Sequence, residues 1–159
     1  MAEFVAYAAD GWGVGELWFE DGVLAWHELP RPKADAASSG GPAAASRAHP
    51  LARRMAAYFD GDRGGFADVE LDLSWCTPFQ RAVAEALRAV PYGETVTYGE
   101  LAALAGHPNA HRAAGTFCAH NRTPLVLPCH RVVSAGGLGS YGSLGLEYKR
   151  RLLELEGAL

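Results

Sequence analysis

The pattern of the sequence changes near Trp75 and Cys76, and this change limits the possible folds more than any other feature. Before it, short runs typical of β-strands are separated by glycine-containing turns. After it, apolar residues recur at three- and four-residue spacing behind N-terminal capping residues, which is typical of α-helices. We therefore predict an α+β fold with two domains, residues 1–75 and residues 76–159.

The beginning of the chain contains three runs typical of β-strands. They are separated by Asp10-Gly11 and Asp21-Gly22, and an Asp-Gly pair favours the tight turn of a β-hairpin. This pattern predicts a hairpin or small meander built from residues 4–8, 14–19 and 22–29.

The segment 31–49 differs in composition from its surroundings. It is rich in Ala, Ser, Gly and Pro, and no large apolar side chain in it could anchor it to a core. We predict a flexible surface loop here, within a small amino-terminal α/β domain. A short helix over 51–59 should follow, since apolar residues recur there at four-residue spacing, and then a strand or extended segment over 69–73.

Two capping boxes indicate helices in the second part of the chain. In a capping box, a Thr side chain and a Glu or Gln side chain three residues later each accept a hydrogen bond from the other's backbone N–H. Proline at the first helical position supports the first of them. The predicted pairs are Thr77 with Gln80, which begins a helix over 78–90, and Thr97 with Glu100, which begins a helix ending at Gly106.

A third helix is predicted over residues 109–120, after a tight turn that contains glycine. Two short helices joined in this way form the helix-turn-helix pattern. One face of the third helix carries Arg112 beside the small residues Gly115 and Ala119. Glycine inside a helix costs about 1 kcal/mol relative to alanine, so close approach by another backbone is indicated. Taken alone, the pattern favours packing against another part of the protein, and a DNA backbone or groove is the alternative.

Cys129 and His130 are adjacent after the apolar run 125–127, which we interpret as a short buried strand. The thiolate is the reactive form of cysteine, and a nearby histidine can accept the thiol proton. Neighbouring side chains of a strand point to opposite faces, so their contact would require a turn at this point or a bridging water. Cys76 and Cys118 are interpreted instead as small buried hydrophobic residues.

The composition excludes several classes of protein. Hydrophobic residues make up 49% of the chain and charged residues 20%, as in globular domains. Three cysteines without a Cys-x-x-Cys pair favour neither a disulfide framework nor a zinc finger, and they favour a reducing, cytoplasmic compartment. The sequence shows no signal peptide and no apolar run of membrane-spanning length, so we expect a soluble protein with no membrane partner.

The net charge of −4 argues against a strongly basic nucleic-acid binder, but the charge is unevenly distributed. Residues 1–75 hold 6 Lys and Arg against 12 Asp and Glu, and residues 76–159 hold 8 against 6, which gives −6 and +2. No Asp or Glu occurs between Glu100 and Glu147. This acid-free segment is compatible with phosphate contact, although its few cations predict a modest nonspecific affinity.

Several segments in order make residues 77–157 resemble the O6-alkylguanine-DNA alkyltransferases, or methylated-DNA–protein-cysteine methyltransferases. The strongest match is PCHRVV, residues 128–133. It is preceded by TPFQRAVAEALRAVPYGETVTYGELAALAG, by the RAAG segment and by Asn121. It is followed by GSYGSLGLEYKRRLLELEG, which is similar to the closing helix of the family. The resemblance implies a carboxy-terminal helical domain of the winged helix-turn-helix type. The amino-terminal part is similar in layout, which implies a ribonuclease H-like α/β domain.

The resemblance implies a role for each matching residue of the reaction. Cys129 would be the alkyl acceptor, and His130 would be the general base, linked to the thiol through water. Glu156 would orient His130 and stabilise its cationic form. Tyr98 would donate a proton to the guanine ring as the alkyl group leaves, and Asn121 would brace the turn before the active-site segment.

The same resemblance implies contacts with DNA. The alkylated base must leave the duplex to reach the thiol, and Arg112 would occupy the vacated space in the base stack. Thr97, Ala113 and Gly115 would lie against the DNA beside it.

Backbone and loop atoms would complete the guanine pocket. The carbonyls of Cys129 and Val132 would accept hydrogen bonds from the guanine amino group, and Tyr141 and Ser143 would belong to the loop that closes the pocket. The family's loop commonly reads Ser-Gly-Gly-Leu, whereas this chain has one residue more after Tyr141 and one fewer just before it. The resemblance therefore does not assign the amide that meets the guanine oxygen.

The implied function is DNA repair by direct reversal of damage. One alkyl group would pass irreversibly from O6-alkylguanine in double-stranded DNA to Cys129, and O4-alkylthymine is a further candidate substrate that the sequence does not decide. The reaction would need no cofactor, and we expect a monomer. Some family members bind zinc in their amino-terminal part, but His27, His49 and Cys76 lack a ligand spacing, so we predict no metal.

Two other functions are compatible with parts of the pattern. A non-enzymatic alkyltransferase-like protein would bind the lesion without repairing it, but such proteins lack the acceptor cysteine that is present here. A winged-helix regulator would bind DNA alone, which leaves Cys129, His130 and Glu156 without a role.

Overall fold

The structure, a computed structural model, describes residues 1–32 and 41–159. The chain divides into two units, Met1–Asp72 and Leu73–Leu159. In the described residues, the first unit contains a three-stranded sheet and two α-helices, and the second contains four α-helices, two short 3-10 helices and a two-stranded sheet. This is a mixed α and β architecture, as the change in sequence pattern predicts.

Three antiparallel strands form the sheet of the first unit, in the order β1-β2-β3. They are β1 (Ala2–Ala9), β2 (Gly13–Glu20) and β3 (Val23–Arg31), so the predicted meander is confirmed with slightly longer strands. The turn between β2 and β3 uses Asp21 and Gly22, whose φ angles are 52° and 82°. Positive φ at both central positions is the type I′ geometry that matches the twist of a hairpin, and it accounts for the Asp-Gly pair.

The inner face of the sheet packs on helix α2 (Pro50–Phe59), which confirms the helix predicted over 51–59. Tyr7 of β1 is fully buried on this face, and its hydroxyl lies 2.6 Å from Nε2 of His27 on β3. The ring of Tyr7 crosses Gly15 of β2 so closely that a Cβ atom there would lie 2.3 Å from it. Glycine is therefore needed at this position for the tyrosine to fit.

The predicted flexible loop over 31–49 is wrong for residues Gly41–Ala48, which form helix α1 against β1. Alanine has the highest intrinsic helix propensity, and its small side chain lets a helix approach a strand closely. The helix is tied to the strand by Ser46, whose Oγ lies 2.7 Å from the nitrogen and 2.9 Å from the oxygen of Ala8. Residues 33–40 of the predicted loop lie outside the described residues.

Four helices build the second unit. They are α3 (Pro78–Arg88), α4 (Tyr98–Leu104), α5 (His111–Ala119) and α6 (Leu146–Leu155). The three helices predicted from spacing and caps are confirmed, each slightly shorter than expected. Both capping boxes are present, with Thr77 and Thr97 as the N-cap residues. Among residues 1–32 and 41–159, none of the helices is a candidate membrane-spanning segment.

A short parallel pairing that the sequence did not predict joins two distant segments of the second unit. Strand β4 (Val96–Thr97) pairs with β5 (Val132–Val133). Strands of two residues are too short to show an alternating pattern, so only the fold reveals them. The pairing places the beginning of α4 beside the segment that follows Cys129.

In the first unit, the predicted extended segment 69–73 forms a single bridge, between Leu71 and Leu24.

Replacing Gly15 by alanine should destabilise the first unit, because the added methyl group would overlap the buried ring of Tyr7. Overpacking of this kind costs about 1–3 kcal/mol. Gly65→Ala is the matched control, since open space surrounds its Cβ position. Urea unfolding followed by tryptophan fluorescence measures the free energy of unfolding. Equal stability of the two variants would contradict the close contact between Gly15 and Tyr7.

Candidate active site

Cys129 follows a turn rather than a strand. The predicted strand over 125–127 is wrong, because this segment turns back on itself and Leu125 has a φ of 74°. A bulky residue at positive φ is strained and interrupts a strand. The run is apolar because it is buried, and a short apolar run does not distinguish a strand from another buried segment. A 3-10 helix (Cys129–Arg131) follows the turn.

Asn121 holds the strained turn and the thiol in place. Its Nδ2 donates hydrogen bonds to the carbonyl of Leu127 (2.7 Å) and to Sγ of Cys129 (3.1 Å). Its Oδ1 accepts a hydrogen bond from the backbone N–H of Thr123 (3.0 Å). Strained backbone costs on the order of 1–3 kcal/mol and persists only where surrounding contacts determine it. These hydrogen bonds of Asn121 are contacts of that kind.

Burial keeps the thiol of Cys129 in its neutral form. The residue is 6% exposed, and burial raises the pKa of the thiol above its ordinary value. Asn121, through a hydrogen bond, and Lys149, through its positive charge, act in the opposite direction. Because the neutral thiol is a poor nucleophile, the site needs a base.

A buried carboxylate, Glu156, lies at the C-terminal end of α6 and is bound from three directions. Its Oε2 lies 2.7 Å from Nε2 of His130. Its two oxygens accept hydrogen bonds from the guanidinium of Arg131 at 2.9 and 3.0 Å, and Oε1 also accepts the backbone N–H of Gly93 at 3.0 Å. The structure thus brings together His130 and Glu156, the pair that the family resemblance names.

Sequence reasoning missed the part that Arg131 takes in this cluster. Besides Glu156, its guanidinium donates to the carbonyl of Val90 (2.8 Å) and lies 5.7 Å from the centroid of the Tyr92 ring. A signal was available: a buried glutamate needs a cation, and Arg131 is adjacent to the histidine predicted as the partner of Glu156.

The hydrogen bond with Glu156 determines the tautomer of His130. An ionised carboxylate can only accept hydrogen bonds. Nε2 of His130 therefore carries a proton and donates a hydrogen bond to Glu156. Nδ1 is then the unprotonated nitrogen, and it is buried without a hydrogen-bond partner among the described residues. Burial lowers the pKa of His130, the charge of Arg131 lowers it further, and Glu156 opposes both. His130 is therefore a neutral base with one available acceptor nitrogen.

Lys149 is a second residue that sequence reasoning missed. Its side chain is fully buried, and Nζ donates hydrogen bonds to the carbonyls of Val132 (2.5 Å) and Ser140 (3.1 Å). Nζ also lies 5.8 Å from the centroid of the Tyr98 ring, and burial lowers the pKa of the ammonium group. The sequence held a signal, because Lys149 precedes the buried Leu152 by three residues and so lies on the buried stripe of α6.

A small pocket opens next to Cys129. Its lining includes Tyr98, Gly115, Cys118, Ala119 and Tyr141. The small residues of α5, which the sequence related to helix packing or to DNA, thus face the pocket and leave room beside the thiol.

Tyr98 keeps its proton at the wall of this pocket. Burial raises the pKa of its hydroxyl, and hydrogen bonding with Ser140 opposes the shift. Gly139 lies against the hydroxyl: its φ is 85°, and a Cβ atom there would be 2.9 Å from the tyrosine oxygen. Glycine tolerates both the conformation and the close approach. A protonated hydroxyl at this position can act as a donor.

The other residues predicted to contact DNA or substrate lie outside the cluster around Cys129. Arg112 and Ala113 are exposed on α5, and Thr97 caps α4 through a hydrogen bond from the N–H of Glu100 (3.1 Å). Ser143 is exposed in a second 3-10 helix, in the loop before α6.

Within residues 1–32 and 41–159, no group of three or more His, Cys, Asp and Glu side chains is arranged to hold a metal ion. The amino-terminal histidines have other partners. His27 is hydrogen-bonded to Tyr7, and Nδ1 of His49 accepts the backbone N–H of Ala52 at 3.3 Å, which caps α2.

The half of the chain that contains this site matches a known protein family. Residues 78–158 match the family model described as 6-O-methylguanine DNA methyltransferase, DNA binding domain. Over 112 residues, the chain is 47% identical to a methylated-DNA–protein-cysteine methyltransferase of Methanopyrus kandleri, covering 70% of this chain and 82% of that protein.

Solved structures resemble the whole chain. The crystal structure of Mycobacterium tuberculosis O6-methylguanine methyltransferase is similar with a TM-score of 0.77 and 34% identity, over 99% of this chain and 94% of that one. A crystal structure of Mycobacterium tuberculosis OGT in complex with DNA is similar with a TM-score of 0.76 and 36% identity, over 98% and 92%.

Replacing Arg131 by glutamine should raise the pKa of His130. The variant loses a positive charge that lowers the pKa of the imidazole, whereas the hydrogen bond with Glu156, which raises this pKa, is retained. The nitrogen chemical shifts of His130 across a pH titration measure the change. Arg131→Lys should stay closer to the original value, and Arg122→Gln, whose guanidinium lies over Trp75, is the control outside the cluster. An unchanged pKa in Arg131→Gln would contradict this role.

Proposed function

The chain belongs to the methylated-DNA–protein-cysteine methyltransferase family and is an enzyme of that class; we propose that it moves the alkyl group of O6-alkylguanine in double-stranded DNA onto Sγ of Cys129. The observation that carries this proposal is a buried thiol followed by a neutral histidine whose Nε2 is bound to a carboxylate. A thiol, a base and an acid that orients the base are the parts of an activated cysteine nucleophile.

In the first step, His130 takes the proton of the thiol. Nδ1 is its unprotonated nitrogen, and a water molecule relays the proton from Sγ of Cys129. The imidazolium that forms is stabilised by Glu156, whose Oε2 lies 2.7 Å from Nε2. Thiolate and imidazolium appear together, so the net charge of the buried site does not change. Arg131 donates two hydrogen bonds to Glu156 and keeps the carboxylate oriented throughout.

In the second step, the thiolate attacks the alkyl carbon and the bond between that carbon and the guanine oxygen breaks. Guanine leaves with the electron pair of that bond, and a proton from the hydroxyl of Tyr98 neutralises the ring. The raised pKa of Tyr98 holds this proton in place until guanine becomes basic enough to take it. Lys149 places a positive charge near the tyrosinate that forms.

The product is a thioether on Cys129. Its carbon–sulfur bond lacks a leaving group that the side chains of the site could activate, so the thiol is not regenerated. Each protein molecule therefore acts once, and the reaction is stoichiometric.

Guanine is oriented by backbone carbonyls in this proposal. The carbonyls of Cys129 and Val132 accept hydrogen bonds from its amino group. The Val132 oxygen already accepts one from Lys149, but a carbonyl oxygen has two lone pairs and can accept a second. Tyr141 and Ser143 belong to the loop that closes the pocket over the base.

The alkylated base must leave the duplex, because Cys129 is 6% exposed and lies in a small pocket. Helices α4 and α5 form a helix-turn-helix within a winged domain, and α5 approaches the minor groove. Arg112, which is exposed on α5, fills the space that the base vacates. Thr97, Ala113 and Gly115 support the DNA beside it.

The proposal also covers the setting of the reaction. The protein acts as a monomer in the cytoplasm, its first unit is of the ribonuclease H-like type, and O4-alkylthymine is a second substrate because it too carries an alkyl group on an exocyclic oxygen. A lesion-binding protein without transfer activity is not favoured, since it would have no use for Cys129 and the base that follows it.

Incubation with a DNA duplex that carries O6-methylguanine should add one methylene unit to the peptide that contains Cys129. Mass spectrometry of the intact protein and of its peptides measures the gain. Cys129→Ala should show no gain, whereas Cys118→Ser should keep it, although Cys118 lines the same pocket. Binding of the duplex without any gain in mass would contradict transfer and support the lesion-binding alternative.

Arg112→Ala should slow the repair of duplex DNA far more than the reaction with free O6-benzylguanine, because the free base needs no extrusion. Unstacking a base costs a few kcal/mol, so we expect a difference of about tenfold to a hundredfold between the two losses in rate. Arg150→Ala, at an exposed arginine of α6, is the matched control. Equal losses on both substrates would remove Arg112 from the extrusion step.

A further inference from the structure

We propose that the outer face of the three-stranded sheet carries a second binding site, which takes an arginine side chain from a basic segment of a partner protein. The site is a cleft of about 530 Å³ in the first unit, and the alkyl transfer makes no use of it. Its floor is formed by Val14 and Leu29, which are 5% and 2% exposed. Pockets that bind small ligands typically measure about 300–1,000 Å³, so a guanidinium side chain fits easily.

Two indole rings form the aromatic wall of the cleft. Trp18 of β2 and Trp26 of β3 face each other across the strands and are 44% and 42% exposed. Trp18 packs against Phe4, with ring centroids 4.5 Å apart, and Nε1 of Trp26 donates a hydrogen bond to Oε1 of Glu28 at 2.7 Å. Both rings are therefore held in place before a ligand arrives, which reduces the entropy cost of binding. Exposed aromatic patches of this kind mark interaction sites.

Two carboxylates form the polar wall. Glu16 and Glu28 are directly opposite each other on β2 and β3. A carboxylate accepts hydrogen bonds through two oxygens, so this wall offers acceptors to a guanidinium. The carboxylates outnumber the positive charges among the described residues that line the cleft, where Arg31 lies at one end.

The charge of the surrounding unit favours the same class of partner. Residues 1–72 hold 6 Lys and Arg against 12 Asp and Glu, which gives −6. Such a surface repels the phosphates of a nucleic acid and attracts a basic polypeptide. We therefore expect the sheet face to bind a basic polypeptide, whereas the acid-free segment of the second unit is compatible with phosphate contact.

Arginine fits the cleft better than lysine. A guanidinium is planar, stacks on indole rings and donates paired hydrogen bonds to carboxylates, whereas an ammonium group is compact and strongly hydrated. A cation is attracted to the face of an indole ring, and arginine is enriched at protein interfaces. Indoles held beside carboxylates offer a guanidinium both contacts at once.

Calorimetric titration of the full chain with a hexa-arginine peptide tests the proposal. A hexa-lysine peptide carries the same charge, and a hexa-citrulline peptide keeps the shape of arginine without the charge. We expect the arginine peptide to bind about tenfold more tightly than the lysine peptide, and the citrulline peptide not to bind. The indole N–H signals of Trp18 and Trp26 should shift in NMR spectra, whereas that of Trp75, in the second unit, should not.

Variants locate the binding within the cleft. Glu28→Gln removes a charge but keeps an oxygen for the indole of Trp26, and it should weaken binding of the arginine peptide by about tenfold. Trp26→Ala should weaken it as much. Glu70→Gln, at an exposed carboxylate of the same unit outside the cleft, should bind like the original protein. Methyl transfer to Cys129 should be unchanged in all three variants. A negative result for peptide binding would therefore leave the proposal of alkyl transfer intact, and the reverse also holds.

Several results would overturn the proposal. Equal affinity for the arginine and lysine peptides, or an equal loss in Glu70→Gln, would reduce the effect to general attraction by an acidic surface. Dimerisation that rises with protein concentration and is abolished by Trp26→Ala would assign the face to a second copy of this chain instead.

Discussion

The second unit is organised around the neutralisation of one buried carboxylate. Glu156 is 2% exposed, and it receives hydrogen bonds from His130 and Arg131 in one segment and from the backbone of Gly93 in another. Removing a carboxylate from water costs several kcal/mol unless it is paired, so the end of α6 is stable in the interior only when these segments meet there. The same contacts position Cys129, which immediately precedes the histidine. Folding of this unit and assembly of the candidate site are therefore one event.

Low dielectric surroundings act in opposite directions on the pKa values of Cys129 and His130, the two groups proposed to react. Burial raises the pKa of the Cys129 thiol and lowers that of the His130 imidazole, because charge is costly in both cases. Both groups are consequently uncharged in the resting protein. In the proposed mechanism, a single proton transfer creates two opposite charges near Lys149 and Glu156, whose own charges are already in place. In this mechanism, the resting site and the reactive site differ by the position of one proton, which moves from the thiol to the imidazole.

Features that depend on neighbours within three or four residues were predicted well. The capping boxes at Thr77 and Thr97 and the turn at Asp21 satisfy backbone groups in their own vicinity, so their residue types identify them. Predictions failed where a distant partner selects the conformation. Gly41–Ala48 is helical because small side chains and Ser46 pack it on β1, and 125–127 turns because the amide of Asn121 holds it.

Local sequence was sufficient for the strands of the meander and for the capped helices α3 and α4, and the family resemblance named Cys129, His130 and Glu156 as candidate site residues. The folded arrangement was needed for the tautomer of His130, for the parts taken by Arg131 and Lys149, and for the small residues that open the pocket. Hydrogen bonds and electrostatic interactions depend on distances between atoms, and folding brings together residues such as 131 and 156 that are far apart in the chain. A periodic pattern reports which face of an element is buried, whereas the identity of the group that meets that face follows only from the packed structure.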